Sequence, residues 1–113
     1  MKYGNQKIQI DGILFDSKKE ANRYCELKLL EKAGKITELQ LQKEFELIPA
    51  QYEGQGKKRK CVERAVKYKA DFYYFDFDTG RYVCEDTKGF KTKEYILKRK
   101  MMLYMVGIRI IEI

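Results

Sequence analysis

The sequence predicts one mixed α/β domain, ordered helix, three strands, helix, strand, with a short hairpin ahead of the first helix. Three observations carry this. An apolar stripe at helical spacing lies between Ser17 and Gly34. Two aromatic-rich runs alternate with a period of two and are joined by the turn "DFDTG". The last six residues, "IRIIEI", follow a second helical stretch and are apolar on both faces, as in a strand covered from both sides. A chain of 113 residues fits one compact unit with one core, so the domain is placed over 1–113.

Each element has its own signal. "IQIDGILF" alternates around Asp11-Gly12, a two-residue hairpin turn. "DSKKEANRYCELKLLEKAGK" is a helix with Ser17 at the N-cap, Glu20 three residues later, and Gly34 as its stop. Ala21, Tyr24, Leu27 and Leu30 form its apolar stripe. "KEFELIPAQ" is a strand, and "YEGQGKKRK" a Gly- and Lys-rich connection. "VERAVKYKADFYYF" reads as one long strand with Val62, Val66, Tyr68, Ala70, Phe72 and Tyr74 on one face. "RYVCEDTK" is the next strand, broken by Gly89. "TKEYILKRKMMLYMVG" is a helix capped by Thr92 and stopped by Gly107. Three strands joined by short turns make an antiparallel meander, and the second helix is a crossover that returns the last strand parallel to the sheet.

Composition narrows the chemistry. Hydrophobic residues make up 44% and charged residues 36%, which supports folding rather than disorder. Cys25, Cys61 and Cys84 are an odd number, widely spaced, and there is no histidine; this pattern argues against a structural zinc site. Without histidine there is no Ser-His or Cys-His nucleophile pair, so catalysis must use carboxylates, lysine, tyrosine or a metal held by oxygen. No apolar run reaches the roughly 18 residues of a membrane span, and the N-terminal stretch lacks a secretory pattern. The expectation is a soluble cytoplasmic protein with no membrane partner. A net charge of +7 favours a polyanion.

The stretch "YVCEDTKGF" places acids and a lysine where a strand should fill the core. Asp86 and Lys88 are two apart and share a face, with Glu85 on the other. On the preceding strand Asp71 interrupts an aromatic run. A register that pairs Phe77 with Gly80 across the turn, carried back, sets Asp71 opposite Asp86. Facing carboxylates repel unless a cation joins them, and Mg²⁺ takes such a pair of oxygen ligands, completed by water and phosphate. Lys88 is one pleat further on, in reach of a phosphate oxygen or an attacking water. The cluster suits metal-assisted phosphodiester hydrolysis. The plain alternative is a solvated sheet face with an Asp–Lys surface pair; against it, aspartate is a poor strand former, yet both interrupt β-prone runs. Glu20 has two compatible readings: a capping-box partner of Ser17, or the head of the inward stripe in need of a polar partner.

These residues resemble the PD-(D/E)XK nuclease superfamily: an acid on the first helix, then Asp71, then Asp86-Thr87-Lys88. The segments "FDSKKEANRYCELKLLEKAGKITELQLQKEFEL", "YKADFYYF" and "CEDTKGFKTKEYILKRK" are similar to short phage-encoded endodeoxyribonucleases described as Holliday junction resolvase-like. The likeness spans roughly residues 12 to 105. It implies a restriction-endonuclease-like core and a metal-dependent DNA endonuclease, using Mg²⁺ with Mn²⁺ as a substitute. Its substrate would be branched or structured DNA, in phage recombination or DNA processing. Asp71, Asp86 and Glu20 would be the metal ligands and Lys88 the catalytic lysine. Ala70 departs from the motif's proline. Gln42 is a secondary polar contact. Paired incision of a junction implies a homodimer.

DNA would lie along the basic residues. Lys57, Lys58, Arg59 and Lys60 form a hairpin tip, Lys67 and Lys69 lead toward Asp71, and Lys91, Lys93, Lys98, Arg99 and Lys100 carry charge onto the second helix. "GKKRK" lacks the Walker pattern, so nucleotide binding is rejected. The competing readings are a non-catalytic basic nucleic-acid-binding module and a protein-interaction domain.

Overall fold

The computed structural model describes residues 7–113. Residues 1–6, part of the single domain expected over 1–113, lie outside the described residues. β1 (Ile8–Ile10) and β2 (Ile13–Phe15) pair antiparallel about Asp11-Gly12. Both turn residues have positive φ, 55° and 76°, the conformation an Asp-Gly hairpin turn requires. α1 (Lys18–Lys32) starts where the Ser17 hydroxyl accepts the Glu20 N–H at 3.1 Å. It ends in a Schellman motif: Gly34 N–H donates to Glu31 carbonyl and Lys35 N–H to Leu30 carbonyl. Ala21, Tyr24 and Leu27 are buried as expected, while Leu30 stays exposed.

β3 (Ile36–Ile48) begins well before the expected strand and is bent at Glu38 and Gln42, which have φ of 60° and 55°. The Gly- and Lys-rich segment is not a bare connection. β4 (Gln51–Glu53), a 3₁₀ turn at Gly56–Lys58, and β5 (Lys60–Glu63) form a separate hairpin arm. The long strand expected from Val62 is therefore divided: Val62 lies exposed in β5, and β6 (Val66–Asp76) starts after a break at 64–65. β7 (Arg81–Asp86) follows. α2 (Lys93–Met101) is capped by the Thr92 hydroxyl and runs into a π-helical turn, Met102–Val106, closed by Gly107 at φ 80°. β8 (Ile111–Glu112) ends the chain.

The central sheet has the order β3-β6-β7-β8, with the first three strands antiparallel and β8 parallel to β7. The mixed α/β class and the crossover agree with the sequence. β8 corrects one expectation. It is a two-residue edge strand, and Ile111 is 49% exposed although Ile110 is buried. A strand with a neighbour on one side alone uses only part of its apolar pattern.

The helices lie on opposite sides of the sheet. Glu85 bonds Arg23 of α1, whereas its neighbours Cys84 and Asp86 point toward α2. Two clusters replace the single expected core. One joins Phe15, Ala21, Tyr24 and Leu27 to Phe72 and Tyr74; the other joins Tyr95, Met102 and Cys84 to Tyr68 and Ala70. The buried stripe of β6 thus enters one core before Asp71 and the other after it. Opposite this switch, β3 carries the left-handed Gln42 between Leu41↔Phe72 and Lys43↔Ala70.

The β4–β5 arm is exposed along its whole length. Its projection explains a radius of gyration of 17.1 Å, against about 13 Å for a compact chain of this length. No helix among the described residues is long and apolar enough to cross a membrane.

Candidate active site

β6 and β7 pair from Phe72↔Glu85 to Asp76↔Arg81. The pairing ends at Phe72↔Glu85, in the register read from the turn; Asp71 and Asp86 are the next residue on each strand, and their carboxyls lie near one another. Asp71 is held by three donors: the Thr87 backbone N–H and hydroxyl, each 2.8 Å from Oδ2, and the Gln42 amide, 3.3 Å from Oδ1. Asp86 is fully buried. Its Oδ2 accepts the Tyr68 hydroxyl, and its Oδ1 has no hydrogen-bond partner among the described residues. The nearest cation to that oxygen is Lys88, whose Nζ is 3.8 Å away.

Burial, and then the adjacent Asp71 carboxyl, push the Asp86 carboxyl up to about 7 against the pull of Tyr68 and Lys88. Glu20 behaves alike. It is 6% exposed, and burial followed by the charges of Asp71 and Asp16 raise it to about 7. Its Oε2 accepts from the same Gln42 amide at 3.2 Å, so one side chain spans Glu20 and Asp71. Half of the capping box forms: the Ser17 hydroxyl caps the helix, whereas the Glu20 carboxyl accepts from Gln42 and faces the site, as the second reading expected. Glu20, Asp71, Thr87 and Lys88 line one open cavity of about 280 Å³ with Asp16, Ser17, Lys19 and Gly89.

Of the four predicted residues, Glu20, Asp71 and Lys88 line this cavity, while Asp86 is buried behind it, beside Asp71 and 3.8 Å from Lys88. Among the described residues, no three Asp, Glu, Cys or His side chains form a group able to hold a metal ion. Asp71 and Asp86 are adjacent, and Glu20 is joined to Asp71 through the Gln42 amide. Two hard carboxylates, one with a buried oxygen that has no donor among the described residues, fit Mg²⁺, which binds through one or two carboxylates together with water and substrate phosphate. The oxygen-only donor set excludes a soft metal.

The basic residues divide. Lys57, Lys58, Arg59 and Lys60 sit on the exposed arm, with the Arg59 guanidinium 4.1 Å above the Tyr52 ring. Lys69 and Lys93 are exposed, and Lys67 pairs with Glu44 at 3.6 Å. Lys98 lies 3.4 Å from Glu94. Lys91 is engaged by Glu112 at 3.2 Å, alongside Arg99 at 3.0 Å. The Tyr95 hydroxyl, and then Arg99 and Lys91, hold the Glu112 carboxyl down at about 2. Through Tyr95 and Arg99 these contacts tie β8 to α2, and Lys91 joins them from the segment before the helix.

The family model described as "Protein of unknown function (DUF1064)" matches residues 1–109. The chain belongs to that family. No curated protein and no solved structure matches. In this DUF1064 chain the matched span holds Glu20, Gln42, Asp71, Asp86 and Lys88, and stops short of Glu112.

Three supporting residues escaped sequence reasoning. Thr87 looked like a spacer between Asp86 and Lys88, though its hydroxyl beside a carboxylate was a usable signal. Tyr68 occupies a stripe position that reads as core. Arg23, which grips buried Glu85 with two bonds of 2.7 and 2.6 Å while Tyr74 donates a third, sits 62 residues from its partner and leaves no local pattern.

Proposed function

We propose that this DUF1064 chain is a metal-dependent DNA endonuclease that hydrolyses phosphodiester bonds, with branched or structured DNA as substrate. The observation that carries the reading is the buried Asp86 Oδ1, without a donor among the described residues, beside Asp71 and 3.8 Å from Lys88. Such an oxygen is costly to bury alone and is satisfied by a cation. Asp71 and Asp86 would hold Mg²⁺ or Mn²⁺; the bound ion would polarise the phosphodiester and acidify a bound water. Lys88 orients the attacking water and offsets charge growing on the phosphate oxygens. Glu20, poised near neutrality, accepts the proton that water loses on forming its bond to phosphorus, as the opposite P–O ester bond breaks and the departing oxygen takes up a proton from solvent. Gln42 fixes the spacing between Glu20 and Asp71. Cutting both strands of a junction would require a second copy of the chain.

The test incubates supercoiled plasmid, linear duplex and a synthetic four-way junction with the protein in Mg²⁺ or Mn²⁺. Cleavage should require metal, favour the junction, and fall about 10²-fold or more in Lys88→Ala and Asp86→Asn. All three DNAs left intact, or a Lys88→Ala protein that cuts at the wild-type rate, would refute the enzyme. Metal-independent, salt-sensitive binding unaffected by Asp71→Asn would instead mark a non-catalytic nucleic-acid-binding module.

A further inference from the structure

Lys88 lies between two cavities. On one side is the carboxylate cavity already described. On the other, Lys69 of β6, Lys88, and Thr92, Glu94, Tyr95 and Lys98 around the start of α2 enclose about 260 Å³ together with Tyr68. Three lysines face a single acid there, Glu94, which is 77% exposed and partly occupied by Lys98. Lys88 is steadied over the Tyr95 ring, with Nζ 5.1 Å from its centroid. The Thr92 hydroxyl accepts the Tyr95 N–H at 3.1 Å and keeps its own proton to donate.

This chemistry matches an anion with several oxygens. Lysines gathered from a strand, a loop and a helix outnumber the acids beside them: Lys98 lies 3.4 Å from Glu94 and Lys88 3.8 Å from Asp86, while Lys69 has no acidic partner among the described residues, and ammonium groups bind phosphate as point charges. A metal would find one acid here, Glu94, already paired with Lys98, whereas a phosphodiester meets three ammonium groups and the Thr92 hydroxyl. The two cavities share Lys88 as their common wall, so an anion in one is adjacent to an anion in the other. Adjacent phosphates are what a polynucleotide strand supplies.

We infer that the Lys69–Lys88–Lys98 cavity is a second phosphate subsite, holding the backbone phosphate next to the one at the carboxylates, so that the strand crosses Lys88. This rests on the nuclease reading for its choice of nucleic acid. It assigns Lys69, Thr92 and Lys98 to substrate positioning and fixes the strand's path from the α1 side toward α2.

The experiment reads binding without cleavage. Isotope-labelled protein in EDTA is titrated with hexathymidylate, and separately with inorganic phosphate, while amide and lysine side-chain shifts are followed by NMR. Hexathymidylate should saturate shifts at Lys69, Thr92, Tyr95 and Lys98, and its affinity should fall at least tenfold in Lys69→Gln/Lys98→Gln. The spectrum of that variant reports its folding, and the wild-type shift map stands without it. Shifts confined to the arm, or unchanged affinity in a folded double variant, overturn the subsite. Inorganic phosphate that binds as tightly as hexathymidylate overturns the nucleic-acid assignment. A protein that binds in this cavity yet never cuts DNA would sink the enzyme reading alone; a cutting enzyme indifferent to both lysines would sink the subsite alone.

Discussion

The Asp86 carboxyl makes the metal-free protein's stability fall as pH rises through neutrality. Its folded value of about 7 exceeds the ordinary 3.8 because the buried neutral form is favoured. About three pH units at about 1.4 kcal/mol each give on the order of 4 kcal/mol, a ceiling because Asp71 shares the local charge. For an acid raised in this way, the stabilisation is complete below its unfolded value and is lost as pH passes the folded one. The unfolding free energy in EDTA should therefore drop by up to about 4 kcal/mol between about pH 4 and 8. Glu20, also raised to about 7, acts in the same direction. Glu112, held near 2, gains its contribution as pH rises toward about 4.5, almost wholly below the window. Urea unfolding followed by circular dichroism across this range measures the drop. Asp86→Asn cannot ionise and should remove most of it, while Mg²⁺ should restore wild-type stability at the alkaline end. A wild-type curve that is flat or rises, or an Asn variant that keeps the whole drop, refutes the reasoning.

Arg23→Ala strands Glu85, which is 1% exposed, with Tyr74 as its remaining donor. It should cost about 3 kcal/mol in urea unfolding, the low end for a broken buried pair because Arg23 is partly exposed. Gln42→Gly suits the positive φ and should leave stability within about 1 kcal/mol while lowering cleavage, since the amide between Glu20 and Asp71 is gone. Gln42→Val at the same φ should lose both stability and cleavage. Replacing residues 54–59 with a short turn should keep the thermal transition and lower the salt slope of DNA binding by roughly 0.9 for each phosphate contact removed. An unchanged slope would show that the arm does not touch DNA.

What could be read from the sequence was local. The turn at Asp78-Thr79 is short enough that its register reaches Phe72 and Glu85 without a bulge, so the closeness of the next residues, Asp71 and Asp86, followed from counting. Ser17, Gly34, Thr92 and Gly107 marked helix ends through cap chemistry that belongs to single residues. The arm was missed because Gly54, Gly56 and a run of lysines carry no alternating pattern, although their backbone still pairs. The second core was missed because residues 68, 70, 72 and 74 share parity, while the bend at Gln42 lies on another strand. The Arg23–Glu85 pair and the Lys91–Glu112 contact depend on the finished topology, which brings together residues with no sequence relation.

The change of core at Asp71 has a mechanical consequence. Tyr68 and Ala70 are anchored beneath α2, whereas Phe72 and Tyr74 are anchored beneath α1. The carboxylate between them is thus suspended at a seam, and any sliding of one helical layer past the other alters its distance from Asp86. Repacking either interior, at sites such as Met102 or Leu27 far from the acids, retunes the span across which a cation would be gripped.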